Sequence, residues 1–278
     1  MREQIHVTQP APGYWRAEFS NPPINLIDLD TIAQLSDLIS SLEQDPSVKV
    51  VVFTSADPDF FLAHYDVLVD KARTAAMPKG PTGMHPWLDV LVRISRVPAV
   101  TIAAIRGRAR GAGSEFVLAC DMRFASAEKA FLGQFEVGVG AVPGGNPMAR
   151  LAGLVGRGRA LEVILGADDF RGDLAERYGY VNRALPDAEL DGFVDALARR
   201  IAGFEKEALV AAKRFVDETS LPDDALFPPA LDEFFRSVAR PETKTRMSRL
   251  LAAGLQTRSA VEFDLGKQVA LPPDAHTT

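Results

Sequence analysis

Hydrophobic and polar positions alternate near the start of the chain and then change period. Residues 5–8 and 14–19 alternate as two strands would, with Pro10 to Gly13 supplying the turn between them. Asn21-Pro22-Pro23 closes that pair. Further on, Ile32, Leu35, Leu38, Ile39 and Leu42 recur at helical spacing, with Asp28 placed to cap the helix and Asp45-Pro46 to end it. A largely apolar run at residues 48–54 predicts a buried strand, and a second run at 97–105 predicts another. Strand, helix and strand in this order point to a parallel sheet with crossover helices, which makes the fold class α/β.

Residues 71–87, rich in Ala, Met, Pro and Gly, show weak periodicity and read as a mobile loop with His85 at the surface. Residues 86–95 then predict a helix leading into the second buried run. Later helices are expected at 160–165, 189–201 and 205–218, and Pro147 suits the start of one that stops at Gly156. A long helical stretch at 231–255 is interrupted at Pro241. Residues 1–200 are thus expected to form the core and 201–278 a C-terminal helical region, with 274–278 frayed.

The densest chemistry follows the second buried run. Gly107 and then Gly111-Ala112-Gly113 supply the small residues a chain needs where backbone turns sharply and lies against a ligand. Residues 114–119 read as a short buried helix. A strand, a glycine turn and a helix start leave free N–H groups at a positive dipole end, which suits a phosphate or a developing oxyanion. Glu115 sits one turn inside that helix among apolar neighbours, and a buried carboxylate needs a partner or a task. Glu136 follows a Gly133-Gln134 turn. Cys120 reads as an inert core thiol, and Asp121 and Arg123 as structural residues able to pair with each other.

The pattern G-x-x-x-G-A-G-x-E-x-x-L-A-C-D-x-R-x-A at residues 107–125, continued by Phe131-Leu132-Gly133-Gln134-Phe135-Glu136, Gly140 and Pro143-Gly144-Gly145, resembles the core signature of the crotonase (enoyl-CoA hydratase/isomerase) superfamily. The resemblance runs more weakly from about residue 25 to about residue 216. It implies a crotonase-like spiral of repeated ββα units with a C-terminal helical region, and a homotrimer or dimer of trimers. It also implies Glu115 and Glu136 as catalytic residues and the backbone N–H groups of Tyr65 and Ala112 as an oxyanion hole. Ala63, His64, Asp66, Gly111 and Trp87 are the implied substrate-binding residues, with Met77, Met84 and Trp87 either lining an acyl tunnel or packing under a loop. Coenzyme A enters as the carrier of an acyl-CoA substrate, with no metal and no separate cofactor.

Two places depart from the family pattern. Phe61, Ala63 and Asp66 match the usual first oxyanion loop, F-x-A-G-A-D, but His64 stands where glycine is usual and Tyr65 where a small residue is usual. If glycine there takes a positive φ, His64 is strained. The tail lacks the family's basic-Pro-x-Phe ending. Residues 253–259 lead instead into an apolar stretch at 261–271, so no tail contact to CoA carries over.

Composition narrows the partners. A formal net charge of −6 argues against a general nucleic-acid surface, although Arg106, Arg108 and Arg110 could meet CoA phosphates, a neighbouring subunit or solvent. The lone cysteine, Cys120, forbids an intrachain disulfide and a Cys-based zinc site and suits a reducing compartment. No apolar span is long enough to cross a bilayer, which makes a cytoplasmic location and no membrane partner the default. The expected activity is hydration of a 2-enoyl-CoA thioester. The alternatives are a crotonase-fold isomerase, a thioester or C–C hydrolase of a β-keto substrate using His64 and Tyr65, and an acyl-CoA-binding homologue without efficient catalysis.

Overall fold

Residues 2–271 are described by the computed structural model. Strands β1 (Ile5–Ala11) and β2 (Tyr14–Phe19) form the antiparallel pair, with Ile5 opposite Phe19. Helix α1 (Leu29–Gln44) starts where Asp28 Oδ1 accepts the Thr31 N–H at 2.8 Å, and it buries the five apolar residues that mark its period. Strand β3 (Val50–Ser55) then lies parallel to β2.

From β3 the chain winds as a spiral. Each long strand is followed by a short strand in a second sheet and then by helix. Strand β3 leads to β4 (Phe60–Leu62), α2 (Lys71–Ala76) and α3 (Pro86–Ile94). Strand β5 (Val100–Ile105) leads to β6 (Arg108–Arg110) and α4 (Ala112–Ala119). Strand β7 (Met122–Ser126) leads to β8 (Phe131–Gly133), a 3-10 turn at Glu136–Val139, α5 (Pro147–Val155) and α6 (Arg157–Gly166). Strand β9 (Phe170–Arg171), helix α7 (Gly172–Tyr178) and strand β10 (Arg183–Leu185) close the winding. The larger sheet has the order β1-β2-β3-β5-β7-β10 and the smaller β4-β6-β8-β9. Pairing is parallel except for β1 with β2 and β8 with β9.

Strand alternation divides the core between the two faces of the larger sheet. Val50, Val52, Ile102 and Phe124 pack under α8 (Asp187–Ala202), against Leu190, Val194 and Ala198. Val51, Phe53, Ala103 and Ile105 face the main core, which contains α4. Phe116 of α4 meets Phe53 and Phe19 edge-on at 5.0 and 5.5 Å between centroids, which ties the helix carrying Glu115 to the sheet.

Helix α8 ends at Ala202. Beyond it come α9 (Lys206–Ser220), α10 (Phe227–Val238), α11 (Pro241–Ala252), α12 (Ala260–Phe263) and α13 (Leu265–Ala270). The expected frayed segment 274–278 lies outside the described residues. Among the described residues no helix is long and apolar enough to cross a membrane.

The stretch at 71–87 is more ordered than its composition predicts. Helix α2 is held by its cap, with Asp70 Oδ1 accepting the Ala72 N–H at 2.8 Å. Asp89 on α3 accepts both the N–H and the hydroxyl of Thr82, at 2.9 and 2.7 Å. Polar caps of this kind leave no apolar period to read.

Candidate active site

Two glycines shape the site because backbone must lie directly against a carboxyl group. Gly111 has φ +50 and ψ −123, and a Cβ there would lie 2.7 Å from Glu136 Oε1. A side chain would therefore be strained by the backbone and would collide with the acid. Gly111 itself is fully used: its N–H bonds Gly133 O at 3.0 Å and its carbonyl accepts the Glu115 N–H at 2.9 Å. Ala112 is the first residue of α4, and its N–H has no hydrogen-bond partner among the described residues. Helix starts leave such donors free at the positive end of the dipole.

The second candidate donor stands on the loop after β4. Ile27 donates to His64 O at 2.9 Å and accepts from Asp66 N–H at 2.9 Å, a parallel bridge centred on Tyr65. This geometry turns the Tyr65 N–H away from Ile27, and that N–H also has no partner among the described residues. The Tyr65 ring packs against the main core, and its hydroxyl lies toward Thr74 of α2. Burial, reinforced by Asp66, pushes the phenol up to about 12, so it stays neutral. Because only the main chain faces the expected oxyanion position, Tyr65→Phe should change kcat by less than about threefold in a steady-state assay.

Glu115 is 3% exposed, and both of its oxygens are engaged. Oε2 accepts the Trp87 indole N–H at 2.7 Å and Oε1 accepts the Gly145 N–H at 2.8 Å. A Cβ on Gly145 would lie 2.2 Å from Glu115 Oε2, so glycine is required for this approach. Burial raises the Glu115 pKa, while the Trp87 and Gly145 donors and the Arg150 charge oppose that rise. Glu136 differs. It begins the 3-10 turn, is 8% exposed, and its Oε2 has no partner among the described residues. Burial, then the Glu115 carboxylate, pushes Glu136 up to about 8. The two buried carboxyls thus differ in their surroundings: Glu115 receives two N–H donors that oppose its upward shift, whereas Glu136 Oε2 receives none and the group is pushed up to about 8.

The other expected site residues turn toward protein. Ala63 is fully buried, with its N–H on Asn25 O and its carbonyl receiving the Arg110 N–H. His64 is 1% exposed, between Tyr65 O and Glu262, where substrate contact was expected. It does not adopt positive φ, so the expected strain is absent. With both ring nitrogens engaged, His64 offers no free lone pair for hydrolysis. Asp66 accepts from Leu68 N–H and from Gln256 Nε2. Trp87 is buried, and its indole N–H is spent on Glu115.

The arginine series is also internal. Arg106 bonds Asp187 and Asp191, Arg108 bonds Phe263 O between aromatic rings, and Arg110 forms a two-point pair with Asp169 at 2.6 and 2.5 Å. Asp121 and Arg123 do not pair with each other. Asp121 meets Lys213 at 2.8 Å, while Arg123 donates to the carbonyls of Tyr180 and Cys120. Burial pushes the Cys120 thiol up to about 12, which keeps it protonated.

Sequence reading missed three parts of the site. The Gly145 N–H lies in a motif that reads as a loop. The half-buried His85 caps α3, accepting the Trp87 N–H through Nδ1 at 3.3 Å. Behind Gly111, Ser114 and Tyr180 share a short hydrogen bond beside buried Gln134, whose amide approaches Gly111 O at 3.4 Å. A cavity of about 640 Å³ lies elsewhere, beside Arg96, Lys213 and Asp217. Its cations are already paired: Arg96 with Asp224 and Lys213 with Asp121.

The spiral of paired long and short strands has known counterparts. Residues 15–226 match the enoyl-CoA hydratase/isomerase family, and the chain belongs to that family. It is 30% identical over 229 residues to the crotonyl-CoA hydratase of Syntrophomonas wolfei, covering 82% of this chain and 87% of that one. It is 31% identical over 194 residues to the short-chain-enoyl-CoA hydratase of Clostridium acetobutylicum, covering 70% and 73%. A provisionally named enoyl-CoA hydratase from Streptomyces avermitilis superposes with a TM-score of 0.92 at 45% identity, covering 97% of each chain.

Proposed function

We propose that this chain hydrates a 2-enoyl-CoA thioester, with short acyl chains such as crotonyl-CoA as the first substrates to test. The observation that carries the reading is the unlike bonding of the two buried carboxyls, with two N–H donors on Glu115 and none on Glu136 Oε2. Glu115, held by Trp87 and Gly145, acts as the base and takes a proton from water as the water oxygen bonds to C3. Glu136, neutral below about pH 8, gives its proton to C2. The double-bond electrons pass through the thioester carbonyl during the step, and the free N–H groups of Tyr65 and Ala112 face the charge that gathers on its oxygen. CoA is the carrier, and the protein's own groups perform the proton transfers.

Loss of enoyl absorbance on mixing with crotonyl-CoA tests the reading directly, and no loss with crotonyl-CoA or longer 2-enoyl-CoAs would refute it. The pH dependence has a definite sign. Glu136 acts in its protonated form, so kcat/KM should fall as pH rises through about 8. The reading includes a cytoplasmic trimer or dimer of trimers. An oligomer is supported by α9, which buries none of its residues within the chain and leaves Phe215 and Val216 60% and 62% exposed.

A further inference from the structure

We propose that His64 and Glu262 act as a positioning pair, clamping the first oxyanion turn to the C-terminal segment so that the Tyr65 N–H stays aimed at the thioester oxygen. The proposal rests on the hydration reading and adds residues to it. His64 Nδ1 lies 2.8 Å from Tyr65 O and Nε2 lies 2.8 Å from Glu262 Oε1. A carbonyl oxygen only accepts, so Nδ1 carries a proton. Glu262 Oε1 already accepts the Gln256 N–H at 2.6 Å, which favours a carboxylate there and places the second proton on Nε2. The contact is therefore an imidazolium–carboxylate pair, with His64 1% and Glu262 0% exposed.

The surrounding groups fasten the same two segments. Gln256 Nε2 donates to Asp66 Oδ1 at 2.6 Å, one residue beyond Tyr65. Arg110, one residue before Gly111, donates to Glu262 O at 2.5 Å while paired with Asp169. Arg108 reaches Phe263 O at 3.0 Å. The Phe135 ring lies edge-on to His64 at 5.4 Å. The segment after α11 therefore grips the strand ends that lead into both oxyanion turns. The sequence's two departures from the family pattern, His64 and the tail, bond to each other.

Burial works against the imidazolium, and Arg110 adds to that, but Glu262 and the Tyr65 carbonyl outweigh them and raise the His64 pKa. Burial likewise works against the Glu262 carboxylate, but His64, the Gln256 N–H and Arg110 outweigh it and lower the Glu262 pKa. The raised His64 contributes stability that is lost as pH rises through its folded pKa. The lowered Glu262 contributes stability that is lost as pH falls through its own. Between these limits the clamp is closed. Above the upper limit His64 keeps a single ring proton; held on Nε2 by the carboxylate, it leaves an Nδ1 lone pair against the Tyr65 carbonyl, which is then no longer held.

Glu262→Gln removes the charge while keeping an acceptor. In the full chain, kcat for crotonyl-CoA relative to wild type should then show a new break below the ordinary histidine pKa of about 6.5, because burial and Arg110 act on His64 without Glu262 to outweigh them, with roughly tenfold loss above the break and recovery below it. KM should change less than kcat, since the oxyanion contact strengthens in the transition state. His64→Gln has no proton to lose in this range and should lower kcat by a similar factor at every pH. It also serves if Glu262→Gln folds poorly. Nuclear magnetic resonance gives a readout that needs no turnover. The wild-type His64 ring should titrate above the ordinary histidine value of about 6.5, and the Tyr65 amide resonance should shift with the titration of that ring. A neutral His64 at pH 6.5, a Tyr65 amide indifferent to the titration, or an unchanged kcat–pH profile in Glu262→Gln would overturn the clamp. A wild-type chain inert toward every 2-enoyl-CoA would instead remove the hydration reading, and the amide shift would still decide whether the clamp holds Tyr65.

Discussion

Glu136→Gln should lower kcat for crotonyl-CoA hydration by about 10²–10⁴-fold while leaving the melting temperature nearly unchanged. Glu136 is buried and pushed up to about 8, so at neutral pH glutamine replaces a neutral carboxyl of the same shape. The variant loses the transferable proton and little else. Glu115→Gln should lower kcat by a comparable factor but also reduce stability. The Glu115 oxygens receive two N–H donors, from Trp87 and Gly145, and glutamine has only one carbonyl oxygen to offer them. Its amide nitrogen would face a donor, at a cost of about 1–3 kcal/mol. A thermal melt beside the crotonyl-CoA assay separates the two acids. Equal melting temperatures in both variants would contradict the bonding of Glu115, and unchanged turnover in both would end the assignment of catalysis to this pair.

Long elements were legible because their periods are written locally. The five apolar residues of α1 and the largely apolar runs of β3 and β5 each predict their element without reference to the rest of the chain. Strands β4, β6 and β8 have three residues each, too few to show alternation, so the second sheet came only from the family resemblance. The glycine turn and Glu115 were visible for the same local reason: an acid among apolar neighbours beside closely spaced glycines is unusual in any context.

Long-range side-chain pairing was the illegible part. Trp87 and Glu115 are 28 residues apart, and His64 and Glu262 are 198 apart. No local pattern indicates which buried donor will meet which buried acceptor. The arginines at 106, 108 and 110 illustrate the ambiguity: alternating cations on a loop fit a phosphate site as well as they fit internal acids and carbonyls. The structure resolves this by bringing Asp187, Asp169 and Phe263 O to them from distant parts of the chain. Polar residues buried by the fold thus find their partners through topology, and single-sequence reading sees only that a partner is required.

Trp87→Phe tests the least expected of these pairings and should lower kcat/KM about tenfold to a hundredfold at neutral pH. Phenylalanine retains an aromatic ring in the core but removes the N–H, leaving Glu115 Oε2 buried without that donor. A hydrogen bond to a charged group contributes about 1.5–3 kcal/mol, equivalent to roughly 1–2 pH units in the acid it stabilises. Among the groups that oppose the effect of burial on Glu115, the Trp87 indole is the largest, so its removal should raise the Glu115 pKa further. Glu115 acts as the anion, and the acid limb of kcat/KM should therefore move to higher pH. The alkaline limb should stay near about 8, because Glu115 is still ionised there and its charge still holds Glu136 up. The active pH range then narrows from the acid side. A Trp87 that merely lined the acyl group would behave differently: its replacement would raise KM and leave both limbs in place. A full pH profile of Trp87→Phe distinguishes an indole that tunes the base from one that only shapes the pocket.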